Sequence, residues 1–87
     1  MYRVRLLPAA SRELGHLDKP VGRRVVERLH WLAEHIENVK PEPLAGSLAG
    51  LYKLRVGDYR IIYEVLYEEQ TIIVHLIGHR SAVYRKR

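Results

Sequence analysis

Residues 51–60 read LYKLRVGDYR, and this stretch decides the fold. Gly57-Asp58 is a two-residue turn signal between two alternating segments, which predicts a β-hairpin. With those residues as the loop, Val56 lies opposite Tyr59, Arg55 opposite Arg60, Leu54 opposite Ile61, Lys53 opposite Ile62 and Tyr52 opposite Tyr63. One face is then Tyr52, Leu54, Val56, Tyr59, Ile61 and Tyr63, an apolar and aromatic surface suited to a core. The other carries Lys53, Arg55 and Arg60, with no carboxylate among them. Like charges directly opposite each other cost stability. A chain that sets Arg55 against Arg60 is therefore expected to hold something anionic between them.

Working outward, residues 60–66 continue the second strand and residues 71–77 supply another across Tyr67-Glu68-Glu69-Gln70. With Glu68-Glu69 as the loop, Val65 faces Ile72, Tyr63 faces Val74 and Ile61 faces Leu76. This register places His75 and Ile77 on the cationic face and brings Gly78-His79-Arg80 out near Arg60. Towards the N-terminus, residues 2–7 alternate apolar and basic and read as a strand ended by Pro8. Pro8 also suits the first turn of a helix, which Ala10, Leu14 and Leu17 continue. A second helix follows, with the stripe Val21, Val25, Leu29, Leu32 and Ile36. Asp18 is its candidate N-cap and Pro20 lies in its opening turn. His30 and Trp31 flank that stripe and are read as packing or surface residues. Residues 38–50 hold two prolines, two glycines and no periodicity, which reads as a loop with a short turn of helix. The order β, α, α, β, β, β predicts an α+β domain over residues 1–87. Its two N-terminal helices pack on one face of a mainly antiparallel sheet, and the free face carries the cations.

Composition narrows the function. The chain of 87 residues is one small domain, with 15 Lys and Arg against 10 Asp and Glu, a formal charge of +5. The excess is uneven, because the last nine residues, HRSAVYRKR, hold four cations and no acid. A polyanion or an acidic protein is the expected partner. The absence of cysteine excludes a disulfide framework and any thiolate metal site, and fits a reducing cytosol. The opening MYRVRLLPAA has no apolar run of signal-peptide length and no window approaches a membrane span, so a cytoplasmic protein with no membrane partner is expected.

Three pieces carry a family resemblance: Leu51-Tyr52-Lys53-Leu54-Arg55, Gly57-Asp58-Tyr59-Arg60-Ile61-Ile62-Tyr63, and Gly78-His79-Arg80-Ser81-Ala82-Val83-Tyr84. They resemble the RelE/ParE superfamily of bacterial and archaeal toxins, the toxin halves of type II toxin–antitoxin pairs, and together favour its RelE branch. The resemblance implies a ribosome-dependent endoribonuclease that cleaves messenger RNA in the A site of the 70S ribosome, with no metal or cofactor. The substrate's own 2′-hydroxyl attacks the adjacent phosphate, leaving a 2′,3′-cyclic phosphate and a 5′-hydroxyl. It also implies a RelB-like antitoxin that covers apolar grooves along the helices and displaces the C-terminal segment or masks the cations, with higher-order toxin–antitoxin complexes. The family's basic positions fall on Lys53, Arg55, Arg60 and Arg80, and its terminal tyrosine on Tyr84. Arg55 departs from the lysine often found there, and a guanidinium releases a proton far less readily than an ammonium.

The chemistry asks for such groups. RNA transesterification needs a base for the 2′-hydroxyl, stabilisation of a dianionic phosphorane and an acid for the 5′-oxygen. Lys53, Arg55, Arg60 and Arg80 can bind and stabilise the phosphate. Nearby cations favour a phenolate, so Tyr84 is the expected general base, with Arg60 and Lys53 stabilising charge and Arg80 or Lys53 protonating the leaving oxygen. The plainer readings are that Lys53 and Arg55 are solvent-facing sheet residues, that Arg80 pairs with Glu64, and that Tyr84 docks the C-terminus. His75 and His79 are rival acid–base groups by residue type. Arg85-Lys86-Arg87 reads as a solvated end that touches ribosomal RNA. Two other functions fit the fold: a ParE-like DNA gyrase inhibitor, and a non-catalytic RNA-binding module that tolerates loss of Tyr84.

Overall fold

The computed structural model describes residues 1–85, so Lys86 and Arg87 of the basic terminal run lie outside the described residues. Strand β1 (Arg3–Leu6) leads into α1 (Pro8–His16) and α2 (Lys19–His35), and then come β2 (Glu42–Pro43), β3 (Tyr52–Val56), β4 (Tyr59–Leu66) and β5 (Thr71–His79). The five strands form one sheet in the order β1-β5-β4-β3-β2. All contacts are antiparallel except β1 on β5. Among the described residues no helix is long and apolar enough to cross a membrane.

Both helices begin where proline permits. Pro8 opens α1, whose Ala10 is fully buried, and Pro20 lies in the first turn of α2. Asp18 occupies the N-cap position of α2, but its carboxylate makes no capping bond; its carbonyl accepts the Gly22 N–H at 2.8 Å. Val25, Leu29, Leu32 and Ile36 of the predicted stripe are buried, the last in a 3₁₀ turn beyond the helix. They meet Leu54, Val56, Ile61, Tyr63, Ile72, Val74 and Ile77 from the sheet in a single core. Burial of this apolar surface, at about 25 cal/mol per Å², is the main force holding helices to sheet.

The hairpin forms in the predicted register, with all five cross-strand pairs from Val56 with Tyr59 to Tyr52 with Tyr63. Gly57 takes φ +59, the left-handed geometry required at the first turn position. On β5, Val65 faces Ile72 and Tyr63 faces Val74 as expected, but Ile62 faces Leu76 and Ile61 faces Ile77. The reading that paired Ile61 with Leu76 and put Ile77 on the cationic face is therefore corrected. An extra residue, His75, bulges from β5 opposite the Ile62–Tyr63 step. Past the bulge every side chain changes face, so Ile77 enters the core, fully buried, and Leu76 takes its place on the free face.

The free face is partly roofed. The chain after β5 folds back in a 3₁₀ turn (Val83–Arg85), and Val83 is fully buried outside the main core, against Gly78. At the opposite border, β1 accompanies β5 only as far as Val74, whose carbonyl accepts the Leu7 N–H at 2.9 Å before Pro8 turns the chain away. Further along β5 the Ile77 N–H donates instead to Oε1 of Glu13, on α1, at 2.9 Å.

Candidate active site

The turn Gly57-Asp58 organises the cations. Arg55 and Arg60 are direct cross-strand partners, as the alternation predicts. The guanidinium of Arg60 folds back over the turn, where Nη1 donates to the carbonyls of Gly57 at 2.9 Å and Tyr59 at 3.0 Å. These bonds hold one nitrogen and leave the rest of the planar donor fork for a ligand. The same turn receives Arg80. Its backbone N–H donates to the Asp58 carbonyl at 2.8 Å, and its Nε stands 3.9 Å from Asp58 Oδ1, with both side chains more than half exposed. An ion pair so long and so wet contributes at most about 1 kcal/mol, so an incoming phosphate can displace it. Arg60 also lies opposite Gly78, two residues before Arg80. The hairpin thus brings Arg55, Arg60 and Arg80 to one end of the sheet.

Lys53 is one step along the same face, and here the acid-free reading is corrected. Glu42, on β2, is its cross-strand partner, and the Glu42 carboxylate holds Lys53 Nζ at 3.2 Å. Sequence reasoning missed this pair because β2 is only two residues long and ends in proline, within a segment that has no period. The one usable signal was that proline in a sheet belongs on an edge strand. Glu64 is a second carboxylate on this face. It bonds His75 Nε2 at 3.0 Å rather than Arg80, so the expected alternative of an Arg80–Glu64 pair does not form.

His79 lies on the other face. The bulge turns it towards the helices, opposite Tyr59, whose ring meets its imidazole edge-on at 5.5 Å between centroids. Its Nδ1 accepts the Ser81 N–H at 3.1 Å and lies 2.8 Å from Ser81 Oγ. The tyrosines divide equally clearly. Tyr63 is buried in the core, tilted against Tyr52 at 5.7 Å, and burial followed by the neighbouring Tyr67 and Tyr52 pushes its phenol up to about 12. Such a group serves packing. Tyr84 is on the terminal 3₁₀ turn, exposed, beside the Val83 that rests on Gly78. The turn therefore carries Tyr84 back onto β5, whose Gly78 is the partner of Arg60.

The chain is similar to known proteins over nearly its whole length. The family described as the ParE toxin of the type II toxin–antitoxin system parDE matches residues 4–84. The chain is 31% identical over 85 residues to Toxin RelG of Mycobacterium tuberculosis, spanning 98% of each. It is 30% identical over 84 residues to Toxin RelE of the same organism, spanning 97% of this chain and 87% of that one. In the crystal structure of the toxin–antitoxin complex RelBE2 from M. tuberculosis, one chain is similar at a TM-score of 0.81 and 32% identity, over 91% of this chain and 98% of that one.

Proposed function

This chain belongs to the RelE/ParE family of type II toxin–antitoxin toxins, and from that membership we propose that it is a ribosome-dependent endoribonuclease that cuts messenger RNA in the A site and so stops translation. The observation that carries this reading is the gathering of Arg60 and Arg80 at the Gly57-Asp58 turn, with Arg55 and Lys53 continuing the line of charge along one face. A scissile phosphate placed there meets guanidinium donors already aimed by the turn, which stabilise a dianionic phosphorane. Tyr84 takes the 2′-hydroxyl proton, the 2′-oxygen bonds to phosphorus, the bond to the 5′-oxygen breaks, and that oxygen receives a proton from the Lys53 ammonium while the Arg80 guanidinium holds the phosphate. The products are a 2′,3′-cyclic phosphate and a 5′-hydroxyl, and no cofactor enters the balance. Arg55 serves as a phosphate clamp in this scheme, since its guanidinium is a poor acid.

The reading places the protein in the cytoplasm with the ribosome, and gives it a RelB-like antitoxin, in line with the complex in which the similar RelBE2 toxin was crystallised. An apolar groove bordered by Val4, Leu6, Leu14, Val26 and Leu29 suits such a partner, one that folds as it binds. A second reading, gyrase inhibition, is favoured by the matched family description, which is that of a ParE toxin.

The test is cleavage mapping of a programmed message on isolated ribosomes, with the wild-type chain, Arg80→Ala and a ribosome-free control. Ribosome-dependent cuts at the A site that the substitution abolishes are expected. An intact message would shift the reading to gyrase inhibition or to a non-catalytic RNA-binding module, which a supercoiling assay separates.

A further inference from the structure

A second set of guanidinium groups lies beyond the sheet's edge. On its outer side β3 is paired only at Tyr52 and Lys53, because β2 ends there. The unpaired stretch Arg55-Val56-Gly57 faces α2 across a groove whose other wall is Arg24, Glu27, Arg28 and Trp31. Those four recur at helical spacing and share one side of α2. Trp31 is fixed in place: the Arg28 guanidinium carbon stands 4.5 Å from the indole centroid, and the His35 ring stacks on the indole at 4.7 Å and 22°. The indole thus contacts a neighbour one turn before it and one turn after it on α2. His35 is itself tied by Nδ1 to the Trp31 carbonyl, 2.8 Å away. The cation–π contact therefore sets the direction of Arg28 without neutralising its charge. Among the described residues Arg24, Arg28 and Arg55 make no ion pair. The groove opposes these three guanidinium groups with one carboxylate, Glu27.

We propose that this groove is a second RNA site, in which Arg24 and Arg28 grip the backbone phosphates of the strand that leaves the reacting centre by way of Arg55. The course of the strand rests on the nuclease reading given above; the groove's affinity for RNA does not. Arg55 joins the two regions, since it borders the groove and is also the cross-strand partner of Arg60. A polyanion held at Arg60 and Arg80 thus meets the groove next. Guanidinium forks match phosphate oxygens in pairs. Three guanidinium groups against one carboxylate suit the regularly spaced charge of a nucleic-acid backbone better than the sparser charge of an acidic polypeptide.

The chain has a single tryptophan, so its fluorescence reports from this groove alone. Wild type, Arg24→Ala/Arg28→Ala and Arg24→Lys/Arg28→Lys would be titrated with a fully 2′-O-methylated single-stranded RNA over a series of salt concentrations. In parallel, kcat and KM would be measured on programmed ribosomes. We expect a saturable change in Trp31 emission, and a log K against log salt slope shallower by about 1.4 in the alanine variant, at about 0.7 per lost contact. The lysine variant should restore the slope. KM should rise on the order of tenfold in the alanine variant with kcat little changed. A wild type that cleaves, with slope and KM the same in the alanine variant, would overturn the groove and leave the nuclease standing. A wild type that does not cleave but shows the expected slopes would sustain the groove and overturn the nuclease. Slopes unchanged for RNA, with binding of a polyglutamate peptide lost in the alanine variant, would overturn the RNA site in favour of an acidic protein partner.

Discussion

Gly78 offers a way to disturb the proposed reacting centre without touching a cation. A methyl carbon added to it would lie 3.4 Å from Val83 Cβ and 3.6 Å from Val83 Cα and Cγ2. Those are ordinary contact distances, and alanine restricts the unfolded chain, so Gly78→Ala should be accepted with a gain of about 0.5 kcal/mol. Gly78→Val differs. Its γ carbons extend about 1.5 Å past Cβ, into space that the fully buried Val83 already fills. The Val83–Arg85 turn must then lift away. Uncovering a buried valine forfeits about 1.5–3 kcal/mol, roughly a ten- to hundredfold shift of the docking equilibrium towards release. Arg60 keeps its bonds to Gly57 and Tyr59, and Arg80 keeps its backbone bond to Asp58. If Tyr84 is the base, cleavage on programmed ribosomes should fall by up to that factor, in proportion to the fraction of molecules whose turn is released, while ribosome binding persists, and the amides of residues 82–85 should exchange faster. Gly78→Ala should behave as wild type in every assay. Wild-type cleavage by Gly78→Val, with hydrogen exchange showing the turn released, would remove Tyr84 and its segment from the chemistry. Equal losses for Ala and Val would show that the steric reasoning is wrong.

Tyr84→Phe keeps the ring and removes the phenol, so cleavage should drop at least tenfold with ribosome affinity unchanged; single-turnover rates and a binding titration check this, and an undiminished rate would reassign the base. Deleting His75 should be tolerated at a cost of no more than about 2 kcal/mol, because removing the bulged residue leaves Val74, Leu76 and Ile77 alternating to the faces they already occupy; urea unfolding would show it, against deletion of Ile73, which should prevent folding. Glu42→Gln should change stability by less than about 1 kcal/mol, the pair being partly exposed, and should lower KM by freeing Lys53; a higher KM would mean that Glu42 orients Lys53 productively. Tyr63 supplies the pH dependence. Its phenol is raised from the ordinary value near 10 to about 12, so the fold retains a proton that the unfolded chain loses between those values. The associated stability is complete below about pH 10 and lost as pH rises through about 12, a total of about 2–3 kcal/mol. Urea unfolding at about pH 9 and pH 11.5 should show this loss in wild type and not in Tyr63→Phe.

The hairpin could be read because two independent signals coincide in it. Alternation sets the faces and Gly57-Asp58 sets the register, and both hold in every pair from Tyr52 to Tyr63. The helices were legible for a related reason, since the spacing from Val21 to Ile36 admits only one buried side. His75 had no such support. Parity alone places residues beyond it, and a bulge in a run of hydrophobic residues changes parity without a glycine or proline to mark it. A docked C-terminus was among the plainer readings, but through Tyr84; that Val83 makes the contact, over the free face, escaped, although an isolated glycine within a strand pattern, here Gly78, is a sign of close approach by another backbone. The pairing of Lys53 depended on Glu42, far along the chain in a segment without period. What could be foreseen of the site was its residue types and their common face. What could not was which charges are already answered.

Glu13 bears on how the protein behaves in company. Where β1 leaves β5, no described strand continues the sheet, and the Ile77 N–H, pointing outward, is what an extended segment of another molecule would seek in order to add itself as a strand. The Glu13 carboxylate already occupies that donor. One side chain thereby discourages copies of the toxin from zipping edge to edge when they accumulate without a partner. Its loss should appear first as concentration-dependent turbidity, well before any change in the melting of the monomer.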